Sequence, residues 1–489
     1  MSSDPPSVIY TLLALGAAVY FVNWFWPSKH SLPGIPAIGP SAPLLSYYGA
    51  LKFIYQGREM MQEGYNRYKG SVFKLPQLFR WHVIVTAPKL VDEIRRAGDD
   101  ELNFLDAAID GLQTDYTMGT AISNNPYHVP IIRSQLTRNL STLFSDIRDE
   151  LSTAFKDFIP PTDEWTKVTA LPTVMQIVCR TSNRIFVGQP VCRDPDYANL
   201  NITYTVDVVK AGLTIKMFPR LLRPLVALFL TNISANINRG IKHLGPIIKE
   251  RFEKMAEYGD DWEGKPNDML MWIMEVAEGE EREIPALVQR ILAINFAAIH
   301  TSSMSFAHAL YHLAQNPEYA LPLRQEVESV VAEEGWTKNA MQKMRKVDSF
   351  LRECQRYHSL GLVSMTRRAV KDFQFSDGTF IPAGGFVSAA TMTIHHDNEY
   401  YSDPDLFDPW RFADLREEEG EGLKHQMVST SLDPGRFFAA NELKGMLAHL
   451  VMTYDVKLPP EHERVPNTLS FEFNHMPNPS VEILFRKRR

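Results

Sequence analysis

A long apolar helix is the feature that most constrains the fold of this chain. Helix-period sequence runs from Pro285 to about Ala314 and stops at Asn316-Pro317. Proline suits the first turn of a helix, and a proline just beyond the end is a usual stop. At 1.5 Å per residue the helix would be about 45 Å long. Its apolar residues lie on several faces, which predicts a helix buried all round in a large core.

The remainder of the chain predicts one mainly α domain with small β-sheets. Most of the middle has helical periodicity and few strand signals. Two short β-like runs cover 72–75 and 82–86, and 373–381 is a hairpin around an Asp-Gly turn. We find no internal repeat and no second linker in the 489 residues. The domain is predicted to cover 45–489.

The amino terminus predicts a membrane anchor. Val8–Trp26 is a 19-residue run without a charged side chain, and it ends in aromatic residues. Such a helix spans roughly 28 Å, about one hydrocarbon core, and aromatic rings favour its interface. A cleaved signal peptide is the alternative, but the first seven residues contain Asp4 and no basic residue. Basic residues follow the run, so we expect residues 1–30 to anchor the domain on the cytosolic side, at the endoplasmic reticulum.

A proline-rich hinge and the overall charge complete the outline. Residues 31–44 contain four prolines, which disfavour helix and predict a stiff tether, with a disordered linker as the alternative. The net charge of −7 gives no reason to expect nucleic acid as a partner. The three cysteines, Cys179, Cys192 and Cys354, have no paired spacing, so neither a disulfide framework nor a zinc site is indicated.

Two segments predict a charge network. Glu353 and Arg356 are three residues apart on a predicted helix, so they share one face and can pair. The irregular segment 404–412 follows and carries Arg411, which can add a third charge. A lone E-x-x-R is more often a surface ion pair of little energetic value. The network is therefore predicted from the two segments together.

A third constellation lies in the middle of the long helix. Ala297, Ala298, His300 and Thr301 follow one another there. A threonine hydroxyl can bond back to the carbonyl four residues earlier and bend the helix. Small residues on the preceding turn leave room for a bulky group. A threonine simply tolerated in a core helix is the alternative.

Taken together, these segments resemble the cytochrome P450 family over nearly the whole chain. The residues that carry the resemblance stand in the family's order: Ala297 and Thr301, then Glu353 and Arg356, then Pro404, Phe407, Arg411 and Phe412, and finally Pro434-Gly-Arg-Phe-Phe-Ala439. The Ala-Ala-Ile-His-Thr sequence is most similar to the membrane-bound fungal branch that acts on terpenoids and steroids. The resemblance implies haem, an NADPH-cytochrome P450 reductase as electron donor, and a lipophilic substrate.

The resemblance also assigns roles to single residues. Glu353, Arg356 and Arg411 are implied to form the structural triad. Thr301, with Ala298 and His300 beside it, is implied to handle oxygen and protons over the iron; His300 stands where many members carry an acid. The residues implied to contact haem are Arg133, Arg367 or Arg368, Gly435 and Arg436. For each arginine, a solvated surface position is the alternative.

The chain departs from the family at one place. A signature loop F-x-x-G-x-x-x-C-x-G supplies the family's iron-binding cysteine, and here Asp433 joins Pro434-Gly435 with no such loop before it. The flanking sequences are similar to what normally precedes and follows the loop, which favours a deletion over a point substitution. His425 or Met427 could bind iron in principle. A true loss and a wrongly joined gene segment would both produce this junction.

Two functional hypotheses follow. The first is a monooxygenase acting on a terpenoid- or steroid-like molecule of secondary metabolism, impaired or inactive as this polypeptide. The second is a non-catalytic membrane protein of the same fold that binds an apolar ligand or a partner enzyme. None of the three cysteines stands at the position of the family's iron-binding cysteine. The sequence therefore predicts no protein ligand for the metal.

Overall fold

The structure, a computed structural model, describes Ala14 and residues 32–259, 261–417 and 435–489. The predicted anchor run and the Asp433-Pro434 junction lie outside the described residues, as do His425 and Met427. The division into anchor, hinge and domain stays a prediction. Contacts divide the chain into two compact units. We describe each unit by itself.

Helices make up most of the described residues, which confirms the predicted class. In chain order they are α1 Pro43–Tyr68, α2 Pro88–Arg96, α3 Phe104–Leu112, α4 Thr114–Thr117, α5 Thr120–Asn124, α6 His128–Ile131, α7 Thr137–Phe158, α8 Ala170–Phe186, α9 Pro195–Lys216, α10 Arg223–Leu230, α11 Ile233–Tyr258, α12 Met269–Val276, α13 Ile284–Gln315, α14 Ala320–Glu334, α15 Lys338–Lys343, α16 Arg345–Tyr357, α17 Thr391–His395, α18 Arg411–Glu417 and α19 Arg436–Thr453. Short 3₁₀ turns cover Val191–Arg193, Gly279–Arg282 and Pro317–Tyr319, and a π-helical turn covers Ile132–Leu136.

Twelve short strands accompany these helices. They are β1 Val72–Gln77, β2 Arg80–Val85, β3 Leu102–Asn103, β4 Thr166–Thr169, β5 Ser364–Ala369, β6 Phe373–Gln374, β7 Phe380–Ile381, β8 Phe386–Ala389, β9 Tyr454–Lys457, β10 Leu469–Phe471, β11 Asn474–Met476 and β12 Glu482–Lys487. The predicted Asp-Gly hairpin is present, because β6 and β7 pair antiparallel with Phe373 opposite Ile381.

The smaller unit is built on a five-stranded sheet. It comprises the described residues up to Ala108, Gly361–Tyr401 and Ser470–His475, and the strand order is β1-β2-β8-β5-β3. The proline-rich segment packs onto this sheet: the amide of Lys74 donates to the Pro36 carbonyl at 2.8 Å, and its Nζ donates to the Leu32 carbonyl at 2.9 Å. The tether expected for this segment is therefore fixed to β1 from residue 32 onward.

The larger unit is a helical core around α13. It comprises Ile109–Leu360, Ser402–Leu469 and Met476–Arg489, and it also holds the sheet β4-β12-β9. Helix α13 carries Pro285 in its first turn and ends at Gln315, close to the predicted bounds. Among the helices that the structure describes, α13 alone is long and apolar enough to cross a membrane, and half of its apolar stretch is buried inside the protein.

Candidate functional site

The middle of α13 presents an open face in a helix that is otherwise mostly buried. Ala297 and Thr301 are exposed, while Leu287 and Ile291 on earlier turns are fully buried. Residues four apart lie on the same side of a helix, so Ala297 and Thr301 form one surface with small side chains. Ala298 beside them is partly exposed. This surface can accommodate a bulky ligand against the helix.

The Thr301 hydroxyl is held against its own helix. Its Oγ1 donates to the Ala297 carbonyl at 2.9 Å and lies 3.3 Å from the Ala298 carbonyl. A hydroxyl has one proton to donate and two lone pairs that accept. With its proton directed to the backbone, Thr301 can still accept a hydrogen bond from a molecule that lies over this face.

His300 is tied to a neighbouring helix. Its Nε2 lies 3.3 Å from the carbonyl of Ile202 on α9. Burial lowers the pKa of His300, although the contact with Ile202 acts to raise it. A neutral ring that donates to a carbonyl fixes the distance between α9 and α13. It offers a weaker acid than the carboxyl groups found there in many family members.

The predicted charge network is assembled in the interior. Arg356 donates to both oxygens of Glu353, through Nε at 2.8 Å and Nη2 at 2.7 Å. Arg411 Nε lies 3.2 Å from Glu353 Oε2. The arginines also donate to backbone carbonyls, Arg356 to Pro404 at 2.8 Å and Arg411 to Ser402 at 2.6 Å. Because each buried charge has several partners, the desolvation cost is offset, and removing one member would leave the others unpaired.

Arg133 and Arg436 stand at opposite ends of the larger unit's sequence. Arg133 lies in the π-helical turn before α7, a distortion that is frequent at functional sites. It is exposed and makes no ion pair or hydrogen bond with the residues that the structure describes. Arg436 begins α19 directly after Gly435, and its guanidinium lies 4.5 Å from the ring of Phe437.

Arg367 and Arg368 are consecutive residues of β5 and differ in burial. Arg367 is buried and donates to the Thr366 carbonyl at 2.9 Å, and burial lowers the pKa of its guanidinium. It has no carboxylate within ion-pair distance in the described part of the chain. Arg368 is more exposed and lies 4.0 Å from Asp106. A buried guanidinium without a carboxylate is suited to an anionic group such as a haem propionate, so Arg367 fits that role better than Arg368.

The cysteines do not fit the role of an iron ligand. Cys179 lies on α8, Cys192 in a 3₁₀ turn and Cys354 on α16, and each is at most 2% exposed. Burial raises the pKa of Cys179 to about 12 and that of Cys192 to about 11, and it also raises the pKa of Cys354. A thiol must lose its proton to bind metal. The chain has no other cysteine, so Arg367 suits a haem propionate, whereas none of the thiols suits a bond to its iron.

The residue pattern alone did not single out a buried carboxyl group that contacts Ser182 and Ser302. Glu442 on α19 is completely buried, and Ser182 Oγ donates to its Oε1 at 2.8 Å. Burial raises its pKa to about 7, against the lowering effect of Ser182 and Ser302. The signal was present: Glu442 lies on the same helix face as Phe438 and Met446, four residues away on either side. An acidic residue on an apolar face indicates a buried acid.

Comparisons with known proteins identify the family and the fold of the chain. The family model described as Cytochrome P450 matches residues 39–483. Cytochrome P450 monooxygenase 151 of Postia placenta is 44% identical over 501 aligned positions, which cover 100% of both chains. Cytochrome P450 monooxygenase CYP512U6 of Ganoderma lucidum is 34% identical, over 95% of this chain and 94% of its own. The structure of retinoic acid bound cyanobacterial CYP120A1 superposes with a TM-score of 0.68 at 18% identity, over 94% of this chain and 100% of its own, which shows a shared fold.

Proposed function

Because the chain belongs to the cytochrome P450 family, we propose that it is a monooxygenase scaffold for a lipophilic, terpenoid- or steroid-like molecule of secondary metabolism, impaired or inactive in oxygen activation as this polypeptide. The family implies haem, a redox-partner reductase and a hydrophobic substrate. The open face at Ala297 and Thr301 is the surface on which such a molecule would lie. Neither residue offers a charge, which suits an apolar ligand.

The placement of the three thiols carries the proposal of impairment. In a P450 the cysteine thiolate donates electron density to the iron and favours O–O cleavage. Here each thiol is buried in the helical core with a raised pKa. Each therefore keeps the proton that it would have to lose to bind iron. We therefore derive no reaction step through haem for this chain.

The alignment lengths support a deletion as the cause. The comparison with the Postia placenta relative extends over 501 positions, whereas this chain has 489 residues. At least a dozen aligned positions of the relative therefore have no counterpart here. The size is close to that of the missing signature loop. We infer that the loop was excised between Asp433 and Pro434.

A membrane location is supported by a second apolar surface. Helix α10 and the residues before it expose large apolar side chains, including Leu221 at 94%, Phe229 at 82% and Leu228 at 76%. The surface of a soluble protein rarely exposes so many large apolar side chains together, and an apolar surface of this kind marks a membrane or protein contact. Together with the uncharged run at residues 8–26, it supports an anchored protein at the endoplasmic reticulum that faces the cytosol.

The carbon monoxide spectrum of the reduced, detergent-purified chain tests the proposal. A thiolate-ligated complex shows a Soret band at characteristically long wavelength, and we expect this chain to lack it. The matched control is a repaired chain with a Phe-to-Cys signature loop inserted between Asp433 and Pro434, which should regain the band. A long-wavelength band from the unrepaired chain would refute the impairment. A repaired chain that still binds no haem would refute the deletion. Sequencing the transcript across this junction separates a true loss from a wrongly joined gene segment.

The second candidate is a non-catalytic binding protein. It is favoured by the open face at Thr301, which is retained in a chain without a thiolate. In that case an apolar terpenoid probe should raise the thermal unfolding midpoint of the unrepaired chain. Thr301→Trp would fill the face and should abolish the shift, whereas Thr142→Trp, at an exposed position on α7, should leave it unchanged. Equal shifts in both variants would contradict binding at this face.

A further inference from the structure

The exposed apolar surface on α10 and the residues before it belongs to a stretch of sequence without acidic residues. Between Asp207 and Glu250 there are 42 residues and not one Asp or Glu. The 58 acidic residues of the 489-residue chain would place about five in a stretch of that length. The same stretch contains seven Lys and Arg residues. It is therefore strongly cationic in a chain whose net charge is −7.

Basic and apolar side chains are interspersed on this surface. Eight large apolar side chains between residues 217 and 230 are exposed, and Leu221 is the most exposed of them at 94%. Arg220 directly precedes Leu221 and is exposed. Lys210 is also exposed, and it lies two turns before the exposed Met217 on the same face of α9. Cationic head groups therefore border the apolar surface.

Acidic residues from other parts of the larger unit do not balance this charge. Asp196, near the start of α9, pairs with Arg239. Asp115 of α4 is next to Tyr116, which packs against the small apolar cluster that includes Ala227 of α10. Two carboxylates therefore stand against the seven basic groups of the stretch. The surface keeps an excess of positive charge.

An apolar surface bordered by cations matches the interface of an anionic bilayer. Large apolar side chains enter the boundary between headgroups and acyl chains, while Lys and Arg extend to the headgroups. A basic residue beside a membrane that contains phosphatidylserine strengthens binding by about fivefold. An acidic protein would satisfy the same cations. The uncharged run at residues 8–26 favours the bilayer, because it predicts a chain that is already held at a membrane.

We propose that residues 210–230 bind the anionic lipids of a bilayer, with Lys210 and Arg220 at the headgroups and Leu221, Leu228 and Phe229 in the acyl region. The inference rests on the proposed membrane location and adds the class of lipid. The ligand is a phospholipid with a net negative headgroup, such as phosphatidylserine, in preference to zwitterionic phosphatidylcholine. Binding of this lipid does not depend on haem.

Lipid-specific quenching of a fluorophore on the reconstituted full chain tests the class of lipid. Leu221→Cys supplies a reactive thiol at an exposed position, whereas the three native cysteines are at most 2% exposed and burial raises their pKa. The labelled chain is placed in vesicles of two parts phosphatidylcholine and one part phosphatidylserine. One set of vesicles carries an acyl-chain nitroxide on phosphatidylserine, and the other carries it on phosphatidylcholine at the same mole fraction.

The two sets of vesicles should differ in how strongly they quench the fluorophore. We expect nitroxide on phosphatidylserine to quench about twofold to fivefold more strongly, as the preference of a basic residue for an anionic lipid requires. The difference should disappear at about 0.5 M salt, because added ions screen the headgroups. Equal quenching by both lipids at low salt would overturn the anionic preference and leave the membrane contact standing. No quenching by either lipid would overturn the membrane contact too and favour an acidic protein as the partner.

Matched charge variants of the labelled chain locate the effect. Lys210→Gln with Arg220→Gln should make quenching by the two lipids equal. Arg345→Gln with Lys346→Gln removes the same two charges from the exposed start of α16 and should leave the difference unchanged. The thermal midpoint of each variant reports whether it is folded. An equal loss of the difference in both double variants would contradict a lipid site at residues 210–230 and indicate an effect of net charge alone.

Discussion

Replacing Glu442 by glutamine should stabilise the folded chain at neutral and alkaline pH and have little effect in acid. Glu442 is completely buried on α19, and among the described residues no arginine or lysine pairs with it to compensate a negative charge; its partners are Ser182 and Ser302. Burial without a counter-charge favours the protonated form. Glutamine keeps an acceptor oxygen for Ser182 Oγ and cannot ionise.

The sign and size follow from the raised pKa. The folded chain holds the Glu442 proton up to about pH 7, whereas the unfolded chain releases it near the ordinary value of 4.5. Between these two values the folded state binds more protons, so the unfolding free energy falls as pH rises, and above about pH 7 the loss is complete. The difference between the unfolded pKa of 4.5 and the folded pKa of about 7 corresponds to about 3 kcal/mol of unfolding free energy. Glu442→Gln should therefore gain up to about 3 kcal/mol over the native chain at alkaline pH.

Urea unfolding in detergent, from about pH 5 to about pH 8, measures this difference. Glu150→Gln is the matched control, because Glu150 is equally buried but is paired with Arg180 and Arg193. Burial acts to raise the pKa of Glu150, and the hydrogen bonds from Arg193 and Arg180 outweigh it, so the net pKa is lowered. The control should lose stability by an amount that stays constant from about pH 5 to about pH 8, because a lowered carboxyl pKa places its pH dependence below the ordinary value of 4.5. A difference between Glu442→Gln and the native chain that does not change with pH would refute the reasoning.

Three further predictions concern the triad, the apolar surface and the sheet. Arg356→Met leaves a buried carboxylate and two carbonyls without their donor and should cost about 3–5 kcal/mol of unfolding free energy, measured by urea denaturation; an effect below about 1 kcal/mol would contradict a buried network. In a chain that begins at residue 32 and so lacks the predicted anchor, Leu228→Asp with Phe229→Asp should reduce binding to phosphatidylcholine vesicles in flotation assays while leaving the thermal midpoint unchanged, because both side chains are exposed; unchanged flotation would exclude this surface as a membrane contact. Gly64→Ala places a methyl group in steric overlap with ring atoms of Phe73 and should lower the unfolding free energy by about 1–3 kcal/mol in the same urea assay. An unchanged unfolding free energy would show that the ring can move aside.

Features set by local spacing were predictable from the sequence. The bounds of α13 follow from apolar periodicity and the prolines at its ends, and prediction and structure differ by one residue at each end. The pairing of Glu353 with Arg356 follows from their separation of three residues on one helix. In both cases the interacting groups are neighbours in sequence, so few conformations compete.

Features set by packing were not predictable. Arg367 and Arg368 point to opposite faces of β5, and which face is buried depends on the neighbouring elements. The contact between Glu442 and Ser182 joins α19 to α8, and no spacing within one helix reveals it. The fixed position of the proline-rich segment depends on Lys74, a residue that a sequence alone would place on the surface.

The charge network has a further consequence for the evolution of such chains. Arg356 and Arg411 hold the backbone of residues 402–406, on the amino-terminal side of residues 418–434. On the carboxyl-terminal side, Glu442 holds α19 to Ser182 on α8. Each flank is therefore held in place by its own hydrogen bonds, whatever the length of the segment that joins the two flanks. Excising a segment between the flanks can remove an enzyme's reactive group in one genetic step while leaving a folded receptor for its former substrate.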